Sequence, residues 1–145
     1  MKTPVPGGGS AAALVASLGV SLISMAANFS LGKNSSQKVD QRIKKILKTS
    51  ERIRKRLLTL VDLDAEAYLR VVKRKKSPQQ LKKMALLSAQ AVPWEVGQLC
   101  FQATLLTPYL VKSGNKNLLS DLRIAVEFLW AAFQSSMINV QINQE

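Results

Sequence analysis

An all-α bundle is the fold class this sequence predicts, and three observations carry the prediction. Apolar residues recur at steps of three and four through most of the 145 residues. Strand signals are nearly absent. Gly32, Pro78, Pro93 and Gly114 punctuate the pattern into five helical stretches. A chain of this length can bury a proper core, so residues 1–145 are expected to form a single domain. The expected subunit is a five-helix bundle with a long second helix, packing as a dimer.

The first helix is expected from Ser10 to Leu31. Ser10 suits an N-cap, because its hydroxyl can satisfy a free backbone N–H, and Gly32 suits the C-terminal turn. The segment from Ala11 to Phe29 carries no charge and approaches the length of a bilayer span. After Lys2 it is also compatible with a signal peptide. Its wealth of Ala, Ser and Gly instead favours a buried helix with close neighbours. Lys33 to Lys38 reads as a polar turn. The second helix is expected from Val39 to Lys75, with the apolar stripe Val39, Ile43, Ile46, Ile53, Leu57, Leu60, Tyr68 and Val71. Ser50 and Asp64 interrupt that stripe.

Ser77 and Pro78 form an N-cap and first-turn pair, which starts a third helix reaching about Ala91. Pro93 then opens a fourth, from Trp94 to Lys112, interrupted or kinked near Pro108 because proline lacks the helical N–H. Gly114 and Asn115 make a turn. The fifth helix runs from Asn117 to Val140 on the stripe Leu118, Leu122, Ala125, Leu129, Ala132, Ser136 and Val140.

Charge and composition narrow the chemistry. The 21 Lys and Arg outnumber the 9 Asp and Glu, a net charge of +12 that favours an anionic partner. The basic residues concentrate between Arg42 and Arg56 and between Arg70 and Lys83, where solvated helix faces account for many of them. With no histidine, the commonest general base and metal ligand is missing. The single cysteine, Cys100, sits in an apolar run, which disfavours a zinc site and prevents an internal disulfide. Any catalysis falls to carboxylates, amides, hydroxyls, Lys or Arg.

The chain opens with Thr3-Pro4-Val5-Pro6-Gly7-Gly8-Gly9-Ser10. Three glycines without side chains let backbone N–H groups approach a ligand, and the helix behind them favours an anion; a flexible leader is the alternative. Asp64 occupies a seam position. If it is buried there, desolvation raises its pKa and suits it to acid–base work. If the seam slips, Asp64 is exposed and pairs with Arg70 or Lys73. Asp62 points to a different face. Asn139 and Asn143 share one helix face, where two amides can read a heterocycle with mixed donors and acceptors, or simply end a fraying helix. Ser120 and Asp121 begin the fifth helix, where a carboxylate also complements the dipole. The run Lys73-Arg74-Lys75-Lys76 lacks aromatic interleaving, which argues against a sequence-specific nucleic-acid reader.

In series, these pieces resemble one family. They are the glycine segment through Ala13, Met25-Ala26-Ala27-Asn28 with Leu31-Gly32-Lys33, and Leu60-Val61-Asp62-Leu63-Asp64-Ala65-Glu66-Ala67-Tyr68. Ala91-Val92-Pro93, Gly114-Asn115, Ser120-Asp121 and Asn139-Val140-Gln141-Ile142-Asn143 follow in order. The family is that of the cyclodeaminase domain of formiminotransferase-cyclodeaminase and of methenyltetrahydrofolate cyclohydrolases. The resemblance implies an all-helical, dimerising, cytoplasmic subunit and a tetrahydrofolate derivative as substrate, with no bound cofactor and no metal. It implies a short member, since relatives usually carry a helix before the glycine motif and another after Asn143. The stretch between Tyr68 and Ala91 is also shorter than usual.

The implied reactions are closure of 5-formiminotetrahydrofolate to 5,10-methenyltetrahydrofolate with loss of ammonia, or interconversion of methenyl- and formyltetrahydrofolate. Asp64, with Asp62 as second candidate, is then the acid–base residue. Gly7, Gly8, Gly9, Ser10, Asp121, Asn139 and Asn143 are then the substrate-binding set. Two other functions compete with this one. The first is a catalytically degenerate helical protein that binds folate, nucleic acid or another polyanion through its basic face. The second is a membrane-associated protein anchored by Ala11 to Phe29.

Overall fold

The structure is a computed structural model and describes residues 4–33 and 36–142. Five α-helices follow one another: α1 Gly8–Ser30, α2 Gln37–Arg74, α3 Gln79–Thr104, α4 Thr107–Ser113 and α5 Leu119–Ile142. A 3-10 turn, Lys116–Leu118, leads into α5. No strand occurs among the described residues. The 38 residues of α2 make it the longest element, about 57 Å at 1.5 Å per residue.

The centre of the bundle is α1. It packs mainly against α2 and α5, and α3 closes on those same two helices. By length and composition α1 is apolar enough to cross a membrane, yet most of it is buried inside the subunit. Ala13, Ala16, Val20, Ile23 and Ala27 join Ile43, Ile53, Leu57, Leu60, Leu122, Ala125 and Leu129 in one core. The helix ends at Ser30, and Gly32 follows with φ of 69°, the left-handed turn expected of that glycine.

Two polar side-chain pairs, one between hydroxyls and one between a hydroxyl and a carboxylate, mark the antiparallel register of α1 and α2. Ser24 Oγ donates to Ser50 Oγ at 2.8 Å, and Ser50 Oγ donates to the Leu47 carbonyl at 3.0 Å. Two heptads away, Ser10 meets Asp64. Both interruptions of the α2 stripe therefore face α1 serines. Beyond Leu60 the buried position is Ala67, 2% exposed, whereas Tyr68 is 47% exposed. Tyr68 was expected in the seam. The step of seven from Leu60 keeps Ala67 inward and turns the larger ring outward.

Helix boundaries differ from the expected ones at three places. Ser10 is not an N-cap: Gly7 holds that position and Ser10 lies inside α1. Ser77 does not cap α3, whose N-cap is Pro78 with no side-chain cap bond. The expected third and fourth helices are one helix, because α3 runs straight through the buried Pro93. The expected interruption near Pro108 is present: the chain breaks at Leu105 and Leu106, and Pro108 sits in the first turn of α4, where its missing N–H is not needed.

Candidate active site

At the N-terminal end of α1 an open pocket of about 320 Å³ lies between three helices. Gly7, Gly8 and Gly9 form its floor, Asp64, Tyr68 and Val71 of α2 one wall, and Ala89 of α3 and Asn139 of α5 the others. The first turn of α1 brings backbone N–H groups to this end, because they have no acceptor within the helix. The pocket is thus polar at its floor and partly aromatic at its rim.

The three glycines occupy different surroundings. A Cβ on Gly7 would meet nothing within 4 Å, so Gly7 is open to the pocket. A Cβ on Gly8 would stand 3.9 Å from Asn139 Oδ1, an ordinary contact. A Cβ on Gly9 would lie within 2.7 Å of Oδ1, Cγ and Oδ2 of Asp64. The space that Gly9 leaves is taken by the protein's own carboxylate.

Asp64 is half-buried, at the pocket wall, with Oδ2 accepting from Ser10 Oγ at 2.9 Å. It is neither sealed in the seam nor paired with Arg70 or Lys73. The described ion pairs of the subunit are Arg54 with Glu51 and Arg56 with Glu95. Asp62 is exposed on another face of α2 and does not line the pocket. Asn139 is half-buried, and its amide has no hydrogen-bond partner among the described residues, leaving donors and an acceptor for a ligand. Asn143 lies outside the described residues.

The subunit does not bring Asp121 to this pocket. It lies in the first turn of α5, about 27 Å from Asn139 by the helical rise. Ser10 is near the pocket but buried, 2% exposed, and turned toward α2 rather than toward the opening.

Tyr68, Val71 and Ala89 were not foreseen as wall residues. Tyr68 and Val71 looked like core on a regular stripe. For Ala89 a signal existed in Pro93, which has no N–H to give to the carbonyl four residues earlier. No group of three or more His, Cys, Asp or Glu among the described residues could hold a metal ion. Cys100 is remote from the pocket and buried, and desolvation pushes its thiol up to about 12.

A family model described as formiminotransferase-cyclodeaminase matches residues 1–145. The chain is 31% identical over 152 residues to the methenyltetrahydrofolate cyclohydrolase of Methylorubrum extorquens, covering 98% of this chain and 73% of that protein. It is also 31% identical to the formimidoyltransferase-cyclodeaminase of Mus musculus, of which it spans 28%. A crystal structure of formiminotetrahydrofolate cyclodeaminase from Thermotoga maritima superposes with a TM-score of 0.94 at 33% identity, over 99% of this chain and 73% of that one.

Proposed function

The chain belongs to the formiminotransferase-cyclodeaminase family, and from that premise we propose that it is a folate-dependent one-carbon enzyme of the cyclodeaminase or cyclohydrolase type. The observation that carries the proposal is the pocket itself, where Asp64 stands between the glycine floor of α1 and the unpartnered amide of Asn139. Tyr68 offers an aromatic face at the rim, and a pterin ring can stack on such a face. The Asn139 amide and the α1 backbone N–H groups suit the ring's mixed donors and acceptors.

In the cyclodeaminase direction the folate N10 attacks the carbon of the protonated formimino group, whose nitrogen becomes the NH₂ of a tetrahedral intermediate. Asp64 as carboxylate takes the N10 proton. As carboxylic acid it then gives a proton to the nitrogen that departs as ammonia, and the methenyl bridge closes. In the cyclohydrolase direction Asp64 takes a proton from the water that adds to the methenyl carbon and gives it to the nitrogen whose bond to that carbon breaks, while the remaining hydroxyl proton leaves to solvent as the formyl C=O forms. The folate is substrate, and no resident cofactor or metal has a part.

A homodimer fits this reading, because α1 and α5 leave an apolar face beside the pocket. Leu14 and Leu18 are 46% and 49% exposed, and Ile138 is 55% exposed. A cytoplasmic location fits as well, since α1 turns most of its apolar surface into the core.

The test is turnover read from the ultraviolet absorbance of methenyltetrahydrofolate. Asp64→Asn keeps the size and removes the titration, so it should cost about 10²–10⁴-fold in kcat while reduced-folate binding persists. Asp62→Asn should turn over like the parent. Parental turnover by Asp64→Asn overturns the assignment of the carboxylate. A parent that binds reduced folate without turnover is a binding protein. A parent that instead binds generic DNA at moderate salt is a polyanion binder.

A further inference from the structure

We propose that Ser10 is a positioning residue, whose hydroxyl holds the Asp64 carboxyl group in one orientation over the pocket in both of its protonation states. The inference rests on Asp64 as the acid–base group. Ser10 Oγ lies 2.9 Å from Asp64 Oδ2 and 3.0 Å from the Val61 carbonyl oxygen. A hydroxyl has one proton to donate and lone pairs with which to accept.

When Asp64 is ionised it can only accept, and Ser10 donates to Oδ2. When Asp64 is protonated on Oδ1, Ser10 still donates to Oδ2; when the proton lies on Oδ2, the carboxyl O–H donates to Ser10 Oγ and the Ser10 proton turns to the Val61 carbonyl. Each state keeps the Ser10–Asp64 bond, and no heavy atom moves. A general acid–base group passes through both states in every turnover. A partner such as a lysine, which can only donate, would lose its bond to that oxygen in one of them. The Val61 carbonyl is therefore as much a part of the device as the carboxylate.

Gly9 completes the arrangement. The carboxylate occupies the volume that any side chain at residue 9 would fill. Two consecutive residues of the glycine segment thus act on Asp64, one by a hydrogen bond and one by leaving room. Ser10, 2% exposed, has its hydroxyl committed to α2, so its part in the site runs through Asp64 rather than through direct contact with the folate.

The experiment is steady-state kinetics on the full chain with Ser10→Ala, Gly9→Ala, Asp64→Asn and the double variant Ser10→Ala/Asp64→Asn. Ser10→Ala should lower kcat about ten- to a hundredfold, the scale of a lost hydrogen bond to a charged group, and leave KM within about twofold. Alanine is a good helix former, so α1 should survive the change. Gly9→Ala displaces the same carboxylate from its other side and should show the same kcat loss. The double variant should be no slower than Asp64→Asn alone, because Ser10 acts only through Asp64.

Ser10→Ala with the parent's kcat, a rise confined to KM, or a further loss in the double variant overturns the proposal while the assignment of Asp64 stands. Parental kcat in Asp64→Asn overturns the assignment of Asp64, and the role of Ser10 in turnover falls with it.

Discussion

Two pairs of polar side chains inside this bundle are matched across helices, while Ser17, Ser30 and Ser136 bond to carbonyls of their own helices. Ser50 is fully buried and bonded to Ser24, and Asp64 is bonded to Ser10. No buried side-chain polar atom among the described residues lacks a partner, as expected where an unpaired group would cost its full desolvation. The same scale governs Cys100, whose thiol burial pushes from 9.0 up to about 12. Between those values the unfolded chain ionises its thiol and the native chain does not. The native state then binds more protons, so stability falls as pH rises across that window. Urea midpoints at pH 8 and pH 10 should therefore drop more for the parent than for Cys100→Ala. Equal drops would mean the thiol is no better shielded than in the unfolded chain. The interruptions at Ser50 and Asp64 could be read from the α2 stripe. Their partners could not, because Ser10, Ser17 and Ser24 look alike along α1, yet α2 pairs with Ser10 and Ser24 while Ser17 bonds to the Leu14 carbonyl of its own helix.

Among the elements, α1 is set by its neighbours more than by its own propensity. A Cβ on Gly19 would stand 3.0 Å from the Ala125 carbonyl oxygen and 3.1 Å from Leu129 Cγ, so α5 lies close against it. Intrinsic propensity favours leucine over glycine in a helix by roughly 0.8 kcal/mol. Overpacking against a backbone carbonyl opposes it, at about 1–3 kcal/mol. Packing is the larger effect, and Gly19→Leu should destabilise by about 1–2 kcal/mol in urea unfolding at fixed protein concentration. A gain in stability would show that α5 can move away. In α3 the context overrides local preference in the opposite sense. Pro93 costs the helix a hydrogen bond, yet the helix continues through it, because Pro93 is buried and Val96, Gly97 and Cys100 are buried on the turns that follow. Reading Pro93 as a helix start follows from local chemistry alone and misses that burial.

The whole subunit leaves apolar surface on two sides. On the first, Leu14 and Leu18 of α1 and Ile124, Phe128 and Ile138 of α5 are exposed on two helices that pack against each other. Gly8 and Asn139 belong both to the groove between these helices and to the Asp64 pocket. On the second, Phe101 of α3 lines a groove with Trp130 and Phe133 of α5, whose rings stack with centroids 5.9 Å apart. Contiguous apolar faces of this kind mark interfaces in soluble proteins. Light scattering at micromolar concentration should give twice the subunit mass, and Leu18→Arg combined with Phe128→Arg should give the subunit mass. A monomeric parent rules out the dimer. A dimeric double variant moves the interface to the second side.

The all-α class, the long α2, the turn at Gly32 and the interruption of the α2 stripe at Asp64 were legible in the order of the residues. They depend on helical periodicity, backbone preference and motif spacing, which act over a few residues at a time. The tertiary structure alone decided that Gly9 makes room for a carboxylate and that Ser10 serves Asp64 rather than the helix end. It likewise turned Tyr68 to the rim and set Asp121 far from Asn139 along α5. Each of these is a contact or a distance between elements far apart in the chain. Such relations are fixed by the register of one helix on another, and a one-dimensional pattern does not contain that register.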